Sequence, residues 1–172
     1  MTGLLALLCD QALAAVQVAY ANDPDAEPLP DRQLVSAGQA PWDCDLLNVW
    51  VVRDYPTAGG PEQALQQSIS RAAGHYFRAV VLGVQLVRCY PLGPEVGGPP
   101  PLAAEVAAAD VIHADVERVW AALLAAAEQG AFSQRNGVVY EGWQAVGPEG
   151  GLAGGVMTVH ALLPEPAALV AP

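Results

Sequence analysis

The sequence predicts an α+β fold, a largely antiparallel sheet of about five strands with two helices packed on one face, in the order α, β, β, β, α, β, β. Three observations carry this. Helical apolar spacing dominates the N-terminal segment and residues 102–129. A β-branched run ending in Arg, one variable residue, Tyr and Pro occurs twice, as VWVVRDYP at 49–56 and VQLVRCYP at 84–91. Two more short apolar runs flank a glycine-rich connection, GPEGGLAG.

The first helix follows from Leu4, Leu5, Leu8, Ala12, Ala15, Val16 and Ala19, which share a helical face. Its apolar start resembles a signal peptide only superficially, since no Lys or Arg precedes it and Asp10 and Gln11 interrupt it. Neither a leader nor a membrane span is expected. The Pro-rich acidic connection NDPDAEPLPD (22–31) leads to a short strand near Gln33–Ala37 and a long one over Asp45–Tyr55. Residues 56–75 form a polar insertion, long enough to read as a functional loop.

The next strand, His75–Tyr90, is apolar on both alternating sets, which places it centrally with both faces covered. After GPEVGGPPP, residues Leu102–Gln129 read as the main helix, with Leu102, Val106, Ala109, Val116, Val119, Trp120, Leu123 and Ala127 on its inner face and Gly130 at its stop. Strands Val138–Val146 and Gly155–Leu163 complete one domain over 1–163. Residues 164–172 read as an extended or disordered tail.

The repeated strand ending suggests a register. If the two long strands are antiparallel neighbours whose paired numbers sum to a constant, Cys44 faces Cys89, Asp45 faces Arg88, Asn48 faces Gln85 and Trp50 covers Gly83. Leu47, Val49 and Val51 then meet Leu86, Val84 and Leu82. A one-residue slip would move every side chain of one strand to the other face. Paired in this way, Cys44 and Cys89 could bond, although thiols in a cytosolic setting stay reduced. Cys9 reads as a small buried residue.

Composition narrows the function. Against 18 carboxylates the chain carries seven arginines and no lysine, for a formal net charge of −11. Phosphate capture is therefore disfavoured, and DNA passing nearby meets repulsion. Asp110, His113 and Glu117, three and four residues apart, could share a helix face as an acid–base or metal cluster, but a solvated acidic face has the same spacing. His75 and His160 lack local ligand partners. The serines lack the glycine context of a nucleophile elbow, and the glycine-rich connection lacks the Lys and the helix of a phosphate loop. No catalytic residue, metal site or cofactor is expected. Trp42 and Trp143 flank turns and are candidates for interface contacts, with Gly150 and Gly151 as further candidates in the glycine-rich connection.

Taken together, APWDCDLLNVWVVRDYP, VVLGVQLVRCYP, DVERVWAALL and GPEGGLAGGVMTVHALL resemble the tail terminator and head-to-tail connector proteins of long-tailed actinobacterial phages, over about residues 33–163. The resemblance implies a virion structural protein without enzymatic activity, assembled in the host cytoplasm. Its copies would form a hexameric ring at the head-proximal end of the tail tube, with tube subunits and neck connector proteins as partners and DNA sliding through the lumen. Another tail or neck component, such as a tube subunit or head–tail adaptor, is the nearest alternative, and a small enzyme built on Asp110, His113 and Glu117 the more distant one. Gly155 stands where the family carries an aromatic residue after the turn.

Overall fold

A computed structural model describes residues 3–57, 77–93, 98–131 and 138–162. The insertion beyond Thr57, His75 and the tail at 164–172 lie outside the described residues. The elements are α1 (Leu4–Ala21), β1 (Arg32–Val35), β2 (Leu46–Thr57), β3 (Phe77–Cys89), α2 (Leu102–Glu128), β4 (Val138–Glu149) and β5 (Leu152–Leu162). They form the expected α+β arrangement, and the sheet has the spatial order β1-β2-β3-β5-β4. It is mixed, because β1 runs parallel to β2 while the other pairs are antiparallel.

The expected register holds from Leu46↔Val87 through Val51↔Leu82, where a bulge shifts it. Strand β3 is central, and Ala79 through Val87 are buried on both of its faces. On one face Leu47, Val49, Val80, Leu82, Val84, Leu86, Met157 and Val159 form a single cluster with Leu8, Ala12 and Val16 of α1 and Val119, Leu123 and Ala127 of α2. On the other face Trp50 lies over Gly83, its indole filling the space that a Cβ there would need. Ala40, Leu46 and Val87 form a smaller cluster with Leu34, Trp42 and Leu152.

Helix α1 is long and apolar enough, at a mean hydropathy of 1.6, to cross a membrane by length and composition alone. In this fold Leu8, Cys9, Ala12, Val16 and Tyr20 turn into the core. Helix α2 ends where Gly130 adopts φ +86°, with the Gly130 amide donating to the Ala127 carbonyl and the Ala131 amide to that of Ala126. This Schellman-like arrangement satisfies carbonyls of the last turn. The inner stripe of α2 begins later than its spacing suggests, because Leu102 and Val106 are 74% and 52% exposed. Among the described residues the N-terminal part of the helix runs past the core, so helical periodicity there marks a face that they do not cover.

A buried polar network ties the layers together. Asp115 of α2 is fully buried and accepts hydrogen bonds from Tyr20 Oη at 2.5 Å and from Arg88 Nε at 2.8 Å and Nη2 at 3.2 Å. Arg88 Nη1 also donates to the Pro28 carbonyl at 2.6 Å, and Arg118 pairs with Asp23 at 2.7 Å. The expected Asp45–Arg88 pair is only a 4.0 Å contact. Arg88 lies on the helix-covered face, so the buried carboxylate above it takes precedence over the more exposed one beside it.

Burial, and then the Asp115 charge, raise the Tyr20 phenol well above its ordinary 10.0. The folded chain therefore keeps a proton that the unfolded chain loses. The contribution is full below the unfolded value and declines as pH rises towards the folded one. Urea titrations should show stability falling above about pH 10, with a shallower slope in Tyr20→Phe.

Asn48 and Gln85 face each other in register and are both fully buried. The Asn48 amide accepts from Ser36 Oγ at 2.8 Å and donates to the Gly38 carbonyl at 3.3 Å. Neither polar atom of the Gln85 amide has a partner among the described residues. An unsatisfied buried amide costs about 1–3 kcal/mol, so Gln85→Met should raise the urea midpoint by a corresponding amount. An unchanged or lower midpoint would contradict this.

Candidate functional site

Asp110, His113 and Glu117 share a face of α2, as their spacing requires, but all three are exposed. The cleft beside Asp110, of 260 Å³, is walled by Asp25, Glu27, Val111, Ala114, Asp115 and Arg118, and includes neither His113 nor Glu117. This cleft does not bring the three side chains together. They make a solvated helix face.

Gly150 and Gly151 form the two-residue turn between β4 and β5, with φ +58° and +81°. Both values lie in the left-handed region, which suits a tight hairpin and favours glycine. The turn is held against the end of β3, where the Tyr90 amide donates to the Gly151 carbonyl at 2.7 Å. Leu92, which packs against Gly151, is 74% exposed. The strands extend further into the glycine-rich connection than the composition suggests, through Glu149 and from Leu152.

Trp42 and Trp143 are both half-buried and both packed within the chain. Trp143 lies over Gly155, filling the space that a side chain there would occupy. An aromatic ring therefore reaches this point of the sheet from the neighbouring strand. Trp42 packs on the Ala40, Leu46 and Val87 cluster.

Two apolar surfaces stand out along α2. One is the ridge of Leu102 and Val106 near its N-terminus. The other is a groove of 450 Å³ between α1 and α2, lined by Ala14, Ala15, Val18, Ala122, Ala125 and Ala126 among others, with no charged side chain among the described residues of its lining. The two lie roughly 30 Å apart along the helix at about 1.5 Å per residue. Helical spacing alone assigns Leu102 and Val106 to the core. It does not reveal that the helix outruns its sheet.

His160, which lacks local ligand partners in the sequence, is buried, with Nδ1 at 2.9 Å from Tyr55 Oη and Nε2 at 3.0 Å from Glu141 Oε2. These partners come from β2 and β4, too distant in sequence for a spacing motif to reveal. Arg53 lies over the Tyr55 ring at 5.0 Å.

Cys44 and Cys89 form a disulfide with a Cα–Cα distance of 4.8 Å, as the register allows. The pairing that the register suggested is thus formed, while the redox state of the two thiols is a matter of their surroundings. Cys89 and Asp45 border a cleft of 380 Å³ whose wall also includes Glu27, Asp31 and Arg88. No protein-family model matches the chain, and no curated protein matches its sequence.

Proposed function

We propose that the chain is a structural protein of a phage tail, a terminator whose copies form a ring at the head-proximal end of the tail tube and join it to the neck. The observation that carries this reading is the pair of apolar surfaces towards opposite ends of α2. A chain with net charge −11 repels its own copies, so close approach is favoured where the meeting surfaces are apolar. The large Leu102 and Val106 side chains complement an alanine-lined groove on a second copy. Because the two surfaces differ, their contact is heterologous and generates a ring if the rotation closes.

The acidic balance suits a lumen through which DNA slides without sticking. The resemblance of the strand endings and the glycine-rich hairpin to terminators supplies the class. In this reading the partners are further copies, in a hexamer by family likeness, together with tube and connector proteins.

Electron microscopy of the purified chain mixed with tube protein tests this. A terminator caps tubes and limits their length. Long cylinders made of the chain itself would favour the tube-subunit alternative, and failure to bind tube ends would remove the terminator reading.

A further inference from the structure

Cys44 precedes β2, Cys89 ends β3, and Asp45 shares with Cys89 the wall of the adjoining cleft. Asp45 has φ +52°, and its Oδ2 lies 3.7 Å from Cys89 Sγ. The two sulfurs and one carboxylate oxygen all lie within 4.8 Å of one another. Cys89 is exposed and the other two residues are half-buried, so solvent reaches the group. The nearby Arg88 guanidinium is already matched by Asp115, while Glu27 and Asp31 add negative potential to the cleft.

We propose that, when reduced, Cys44, Asp45 and Cys89 hold a thiophilic divalent cation, Zn²⁺, with water in the remaining position. Two thiolates and a carboxylate are donors that zinc accepts, and Zn–S bonds of about 2.3 Å in tetrahedral geometry need sulfurs about 3.8 Å apart. Opening the disulfide takes two electrons and two protons from a thiol reductant, whose two thiols become one disulfide. Zinc binding then releases both cysteine protons. The disulfide and the metal are thus alternative states of one site. This goes beyond the structural role proposed above and does not depend on it.

The test uses the full chain, reduced with a phosphine and freed of reductant without air, then titrated with Zn²⁺ against a chromophoric chelator. The reduced chain should take up about one equivalent. With Co²⁺ it should show a thiolate-to-metal charge-transfer band. Cys89→Ser should weaken that band and lose affinity, and Asp45→Asn, whose side chain tolerates the same backbone conformation, should bind about ten-fold more weakly or worse. The oxidised chain should bind none. Zinc left with the chelator by the reduced wild type, or unchanged affinity in Asp45→Asn or Cys89→Ser, would overturn the proposal.

Discussion

Asp115→Ala should cost about 3–5 kcal/mol, because removing one member of a buried ion pair leaves its partner charged, with only the 4.0 Å contact to Asp45 in its place. Asp115 has no solvent exposure, and the Arg88 side chain is only 12% exposed. Tyr20, from α1, loses its acceptor in the same step. The site therefore couples α1, β3 and α2, and its loss should be felt by the whole helical layer. Chemical denaturation measures the effect. Asp115→Asn, which retains an acceptor but not the charge, should fall between the wild type and Asp115→Ala. A cost under about 1 kcal/mol for Asp115→Ala would show that the network contributes little.

In oxidising buffer, replacing both Cys44 and Cys89 by Ser should lower stability by up to about 4 kcal/mol, the loop-closure entropy for a separation of 45 residues. The bridge joins the base of β2 to the end of β3, so it restricts the unfolded chain across the whole hairpin. In reducing, metal-free buffer the wild type and the double variant should have nearly equal denaturation midpoints. A large difference there would mean that the side chains contribute through packing rather than through the bond.

The β2–β3 register is legible in the sequence because several pairs have to be compatible at once. Trp50 needs a glycine opposite, Asn48 and Gln85 fall opposite each other among apolar neighbours, and the leucines and valines need one side. Helix positions are legible too, since α1 and α2 are bounded by clear breaks. What stays hidden depends on distant neighbours. Arg88 pairs with Asp115 rather than with the adjacent Asp45 because the helix places a buried carboxylate above it. His160 meets Tyr55 and Glu141 on other strands. Leu102 and Val106 keep a helical period but meet no core.

The ring is tested most directly by sedimentation of two surface variants, separately and mixed. Leu102→Asp with Val106→Asp removes the ridge, and Val18→Glu with Ala125→Glu removes the groove, at exposed positions that should leave the fold intact. The wild type should form a closed oligomer, favoured by salt that screens its acidic charge. Each variant alone should stay monomeric, and the mixture should form dimers through its one intact ridge-and-groove contact. A wild type that is monomeric under all conditions would contradict the ring, whereas variants that assemble like the wild type would contradict this interface.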